Sequence, residues 1–241
     1  MKFEKDYMVG VKNIGVNSSI TNYGFLSAME EIACLHSESL GWGIKDRKKT
    51  KKAWILMDWK LKVLRRPKYG DTMHLKTWAR KSEKLTFFTY REFEVFVGDE
   101  KVAIATSKWV LFDLEKNKIS RITNDIEESY EPEEERVFEE YDIEKIKEPI
   151  EYNSVMEYKI RRFDIDINKH VHNLNYLSLA YEALPEKVYN EPEKNNIRIM
   201  YKHEIVFSQM VKCFYSDVDG KNVVSIKSAD EKVLHAIIEM T

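Results

Sequence analysis

One stretch of this chain occurs twice. Asn22-Tyr-Gly-Phe-Leu-Ser-Ala-Met-Glu-Glu31 lies over Asn173-Leu-Asn-Tyr-Leu-Ser-Leu-Ala-Tyr-Glu182 at a constant offset of 151, with Asn, Leu, Ser and Glu coinciding and Phe25 meeting Tyr176. Both copies carry apolar residues at helical spacing: Leu26, Met29, Ala33 and Leu40 in the first, Leu174, Leu177, Tyr181 and Leu184 in the second. Asn22 and Asn173 read as N-caps, Gly41 as the stop of a helix over 23–40, and Pro185 as the end of the second helix. A long alternating segment follows each helix. Ala53, Ile55, Met57, Trp59, Leu61 and Val63 share one strand face, and Ile197, Ile199, Tyr201, His203, Ile205 and Phe207 share its counterpart. Further strands are expected over 73–78, 86–97 and 102–112, and over 210–215, 223–227 and 233–240, with Gly98-Asp99 and Asp219-Gly220 as turns. Each half is then one helix followed by an antiparallel meander, which makes the chain an internally duplicated α+β protein.

Charge marks the join. Between Asp125 and Glu148 there are 12 acidic and 3 basic residues, against 41 and 39 in the whole chain, so the remainder is mildly basic. With Pro132 and Pro149 and few apolar residues, 125–150 reads as an acidic surface linker between an N-terminal unit, 1–124, and a C-terminal unit, 151–241. A net charge of -2 does not suggest a nucleic-acid binder. Two distant cysteines, Cys34 and Cys213, are read as buried thiols in a reducing compartment. The chain lacks a run of about 20 apolar residues, and its first residues lack the apolar core of a signal peptide. The expected location is the cytoplasm.

The densest polar cluster precedes the second helix: Phe163-Asp-Ile-Asp-Ile-Asn-Lys-His-Val-His-Asn173. Asp166, Asn168 and His170 are spaced by two, so an extended segment projects them from one face. A carboxylate orients an imidazole or activates water, and an amide or a free helix-start N–H stabilises an oxyanion. Since that face lacks Ser, Thr and Cys, the nucleophile would be water or a carboxylate. The same residues also serve as ordinary turn and cap residues. A metal site built from His170, His172 and His203 is a second alternative. The first half has Gly15, Asn17 and Ser19 at the matching positions.

These residues resemble a known family. Asp166-Ile-Asn-Lys-His170, continuing through Asn173, is similar to the Asp-x-Asn-x-His-x-x-Asn signature of acyl-[acyl carrier protein] thioesterases, and Tyr201-Lys-His-Glu-Ile205 resembles their Tyr-x-x-Glu-Cys block. Ser37-Glu-Ser-Leu-Gly-Trp42 and the 54–59 region resemble the family's first half. The resemblance implies a double hotdog, two tandem units each with a helix wrapped by an antiparallel sheet. It implies hydrolysis of the thioester between a fatty acyl chain and the phosphopantetheine arm of acyl carrier protein, without a metal or other cofactor of the enzyme's own. It places the catalytic residues at Asp166, Asn168, His170 and Glu204. The family's Cys is Ile205 here, which excludes a thiol nucleophile at that position. An acyl-CoA thioesterase and a non-catalytic acyl-binding protein are the alternatives. By pattern alone, Glu204 is an exposed carboxylate on a strand face shared with Arg198, Met200, Lys202 and Val206, and its counterpart in the first half is Lys60.

The acyl tail needs apolar walls, and the unit without catalytic residues is expected to supply them through Phe25, Met29, Trp54, Leu56 and Trp78. A stripe of this kind also serves as ordinary core. Six of the eight residues over 45–52 are basic. Lys48, Lys49, Lys51 and Lys52, with Arg65 and Arg66, form the expected docking surface for acidic acyl carrier protein, the alternative being a solvated loop. Arg80, Lys81 and Lys84 are read as a basic turn. Either a monomer or a homodimer is compatible with two such units in one chain.

Overall fold

The chain divides into two units, Met1–Ile143 and Glu144–Thr241. The structure is a computed structural model and describes residues 1–82 and 87–241, so Lys84 and the expected strand start at Thr86 lie outside the described residues.

The first unit comprises β1 (Phe3–Met8), α1 (Asn22–Ser39), α2 (Arg47–Thr50), β2 (Lys52–Val63), β3 (Thr72–Ala79), β4 (Phe88–Val97), β5 (Glu100–Asp113), β6 (Lys118–Ser120) and α3 (Asn124–Ser129). Its strands pair antiparallel in the order β1-β3-β4-β5-β2, with β6 added to β5. The second unit comprises β7 (Ser154–Lys159), α4 (Asn173–Glu182), α5 (Glu186–Tyr189), β8 (Asn196–Tyr201), β9 (Met210–Val218), β10 (Lys221–Ser228) and β11 (Leu234–Met240). Its order, β7-β9-β10-β11-β8, repeats the first. The long helix of each unit packs on its own sheet, α1 on β1 and β3, α4 on β9, β10 and β11. Phe25, Leu26, Met29 and Ile32 of α1 are fully buried, as is Leu177 of α4. Each unit is a hotdog.

Both halves open with a strand that the helix-then-meander pattern omits. β1 and β7 are edge strands rich in charge, FEKDYM and SVMEYK, and their apolar alternation is too weak to read locally. Helix starts also move by one residue. Thr21, not Asn22, caps α1 by accepting from the Gly24 N–H at 3.0 Å, and His172, not Asn173, caps α4 by accepting from the Leu174 N–H at 3.3 Å. Gly41 does end α1. It sits at φ 77, and Gly41 and Trp42 N–H groups return to the Glu38 and Ser37 carbonyls. Gly98 and the Asp219-Gly220 pair, all at positive φ, form the expected turns.

The strand after each helix departs from simple alternation. In β2 a bulge between Leu56 and Asp58 switches faces, so Leu56 is buried and Ile55 exposed, while Trp59, Leu61 and Val63 remain inside. In the second unit β8 ends at Tyr201, so His203 and Phe207 are exposed loop residues rather than members of a strand face. The acidic stretch packs on both units' own cores. Ile126 and Tyr130 join Ala79, Leu111 and Ile122, and Ile146 joins Met200, Val223 and Ile237. Arg80, expected in a turn, is instead buried and ion-paired to Glu92 at 3.2 Å.

Candidate active site

A short loop precedes each long helix, and its hydrogen bonds are the same in both units. In the second, the Asp166 N–H bonds the His170 carbonyl at 2.8 Å, Lys169 N–H bonds the Asp166 carbonyl, and His172 N–H bonds the Asp164 carbonyl. In the first, Gly15 bonds Ser19, Ser18 bonds Gly15 and Thr21 bonds Asn13. Ser18 and Lys169 share a left-handed backbone, φ 59 and 66. The scaffold is therefore common, and the chemistry differs by side chain alone.

In the second unit that loop gathers three of the four expected residues. The Asp166 carboxylate accepts from the Asn168 N–H at 2.7 Å, the Asn168 side-chain amide at 3.0 Å and the His170 N–H at 3.3 Å. Both its oxygens are thus committed to shaping the loop. Asp164 anchors the loop base, buried and paired with Arg161 at 2.9 Å. The Arg161 contact and a hydrogen bond from Tyr158 hold the Asp164 carboxyl below its usual range against the opposing effect of burial.

The fourth residue arrives by tertiary contact. Val171 N–H bonds the Ile205 carbonyl at 2.8 Å, and His170 bridges Val206 in antiparallel register. Glu204 lies two residues before Val206, in the segment that this bridge brings against the loop. Glu204 is exposed and lies in the loop after β8, not on a strand face with Arg198 and Met200; Met200 is buried. The Glu204 carboxylate forms no hydrogen bond among the described residues. The same register corrects its counterpart in the first unit. Ile20 N–H bonds the Pro67 carbonyl at 2.8 Å as Val171 bonds Ile205, and Ser19 bridges Lys68 as His170 bridges Val206. Arg66, rather than Lys60, therefore stands where Glu204 stands. Its guanidinium donates to the Ile20 carbonyl and to Asn22 Oδ1.

Tyr176 is a neighbour that spacing did not single out. Its buried hydroxyl accepts from the Ile205 N–H at 3.1 Å. Burial, with the nearby charges of Glu204 and Asp166, pushes its pKa up. The available signal was the Phe25–Tyr176 mismatch in the repeat. His172 uses Nδ1 to cap α4, and among the described residues no three His, Cys, Asp or Glu side chains gather as metal ligands.

In the first unit Phe25, Met29, Leu56 and Trp78 are buried, while Trp54 is half-buried and donates from Nε1 to the Tyr130 hydroxyl at 2.9 Å. Lys48, Lys49 and Lys51 are exposed on and just after α2. Lys52, Arg65 and Arg66 are engaged within the unit; Lys52 pairs with Asp113 at 2.6 Å and Arg65 with Glu100 at 2.7 Å. No helix in the described residues is long and apolar enough to cross a membrane.

Comparison with known proteins gives a consistent result. Residues 1–130 match the family model described as the acyl-ACP thioesterase N-terminal domain, and residues 147–239 match its C-terminal domain. Oleoyl-acyl carrier protein thioesterase 2, chloroplastic, of Arabidopsis thaliana is 23% identical over 92% of this chain and 65% of its own length. The chain thus spans just under two thirds of that relative. Among solved structures, the 12:0-ACP thioesterase from Umbellularia californica superposes with a TM-score of 0.86 at 18% identity, covering 99% of this chain and 96% of that one. An acyl-ACP thioesterase from Bacteroides thetaiotaomicron gives 0.85 at 20% identity with the same coverage.

Proposed function

Because the chain belongs to the acyl-ACP thioesterase family, we propose that it hydrolyses the thioester of fatty acyl-[acyl carrier protein], releasing a free fatty acid and ending chain elongation. The observation that carries this reading is the pairing of Val171 with Ile205 and of His170 with Val206, which brings the segment carrying Glu204 against the Asp166–His170 loop.

Roles follow from which groups are already committed. Asp166 spends both carboxylate oxygens on Asn168 and the His170 backbone, so it organises the loop. Glu204, exposed and without such bonds, is the general base. It takes a proton from water as the water oxygen attacks the thioester carbonyl carbon. His170 orients that water, and the Asn168 amide stabilises the oxyanion. Collapse of the tetrahedral intermediate breaks the C–S bond, and the proton taken up by Glu204 reaches the leaving thiolate through His170. The first unit's apolar interior, with Phe25, Met29, Leu56 and Trp78, is the proposed seat of the acyl tail. A reducing cytoplasm suits two cysteines that are free and raised in pKa by burial.

The test is thiol release from acyl-ACP and acyl-CoA substrates of matched chain length. His170→Ala and Glu204→Gln should each lower kcat by about 10²–10⁴-fold, the usual range for losing a general acid or base, with folding intact. Near-normal turnover in both variants refutes the assignment. Equal kcat/KM on both carriers refutes carrier-protein selectivity, and binding without thiol release would identify an acyl-binding protein.

A further inference from the structure

The two units share a backbone plan and differ in the side chains around one segment. Residues 202–205 of the second unit, which carry Glu204, match 64–67 of the first. Lys202 and His203 N–H groups both bond the His235 carbonyl, at 2.8 and 3.2 Å; Leu64 and Arg65 N–H groups both bond the Val102 carbonyl, at 2.9 and 3.1 Å. In each unit that carbonyl belongs to the extra residue of a β-bulge. β10 pairs Ile226 with Ala236 and Lys227 with Leu234, passing over His235, and β4 pairs Val95 with Ala103 and Phe96 with Lys101, passing over Val102. A bulge redirects the side chain it carries.

Three substitutions between the units converge there. Val102 becomes His235, buried like the valine. Its Nδ1 lies 3.1 Å from the His203 carbonyl, which can only accept, so the ring is the Nδ1–H tautomer. Its Nε2 is buried without a partner among the described residues, and burial holds the pKa below the ordinary histidine range. Phe25 becomes Tyr176, whose hydroxyl accepts from the Ile205 N–H. Pro67, which has no N–H, becomes Ile205, which supplies the donor that this hydroxyl needs. Both partners of the bond are missing from the first unit and both are present in the second. A buried polar pair at a place where an apolar pair also folds points to a role beyond stability.

We propose that Tyr176 and His235 are positioning residues that grip segment 202–205 from two sides and hold Glu204 in register with His170. Tyr176 fixes the peptide that follows Glu204. His235 fixes the peptide that precedes it, through the side-chain bond to His203 and the two backbone bonds to its carbonyl. Tyr201 supports the first contact. Its ring meets Tyr176 edge-on at 5.4 Å, and its hydroxyl donates to the Asn173 carbonyl at the start of α4.

This inference rests on the proposed role of Glu204, and its test separates the two. The variants are Tyr176→Phe and His235→Val, which install the first unit's own residues, and His235→Asn, whose amide can replace the Nδ1–H donor. All are assayed in the full chain on acyl carrier protein loaded with saturated fatty acyl groups, beside Glu204→Gln. Tyr176→Phe and His235→Val should each lower kcat about tenfold to a hundredfold, the scale of a misplaced catalytic group, with KM changed less than about twofold. Backbone amide exchange should accelerate at Ile205 in Tyr176→Phe, and His235→Asn should recover most of the lost kcat. Wild-type kcat in Tyr176→Phe and His235→Val, beside an inactive Glu204→Gln, overturns the positioning role alone. A raised KM at unchanged kcat overturns it as well, by assigning these residues to substrate binding. Wild-type kcat in Glu204→Gln overturns the catalytic reading and this proposal together.

Discussion

His36 provides a direct test of how strongly the first unit's interior constrains charge. It lies on α1 with no exposed surface. The ring stacks on Phe3 at 5.1 Å, and Nδ1 accepts a hydrogen bond from Arg91 Nη1 at 2.9 Å. Arg91 is itself buried, with its guanidinium 5.5 Å from the Tyr130 ring. Protonating Nδ1 would break the bond and set an imidazolium against a guanidinium. Burial and then the Arg91 charge lower the His36 pKa from 6.5 to about 3. Between those values the unfolded chain binds the proton and the folded chain does not. This contribution to stability is therefore complete above about pH 6.5 and is lost as pH falls toward about 3. At pH 5 the loss covers about 1.5 pH units, or about 2 kcal/mol. Urea unfolding of the wild type and of His36→Gln at pH 7.5 and pH 5 isolates it, because the other histidines are common to both. The variant should be less stable at pH 7.5, yet lose about 2 kcal/mol less on acidification. Equal losses in the two proteins, within about 0.5 kcal/mol, would refute the claim that the fold keeps this imidazole neutral.

Other consequences are equally accessible. Arg80→Met leaves Glu92 buried without its partner, and breaking such a pair costs about 3–5 kcal/mol, so the calorimetric Tm should fall by roughly 6–20 °C; an unchanged Tm would show that the pair contributes nothing. Burial, reinforced by Glu30, pushes Cys34 up to about 11, and burial alone pushes Cys213 up to about 12. Both thiols should then react with a disulfide reagent at pH 8 at least about a hundredfold more slowly in the native protein than in urea, and one fast-reacting thiol would contradict that protection. Charge reversal at the exposed pair Lys48→Glu and Lys49→Glu should raise KM for acyl-ACP several-fold at low salt, leave acyl-CoA unaffected, and fade as ionic strength rises; a salt-independent KM equal to wild type would remove α2 from the docking surface.

Local patterns carried much of this molecule. Helical spacing and a repeated ten-residue block located both long helices, because one face of each must be apolar to bury it. Gly41 and Asp219-Gly220 were legible because positive φ selects few residue types. The edge strands β1 and β7 were not, since a half-exposed, charged strand has almost no apolar alternation. Trp54 shows the limit of composition: it reads as tail-pocket material, but its indole N–H binds Tyr130 and its ring packs on the cluster around Ile126.

The candidate site divides along the same line. Asp166, Asn168 and His170 sit within five consecutive residues, so one loop with local hydrogen bonds brings them together, and the chain order alone determined their meeting. Glu204 was known only through a family resemblance. Its partner in the first unit is Arg66 rather than the Lys60 that strand counting gives, because counting along a strand cannot see that β8 stops at Tyr201 or that a bulge re-aims His235. Those depend on which carbonyl Lys202 and His203 find across the sheet, a choice made between residues more than thirty positions apart. Sequence determined that there are two copies of one fold and that only the second carries the polar loop. Tertiary structure decided which side chains bond the segment that carries Glu204, because a hydrogen bond between distant segments exists only once both are folded.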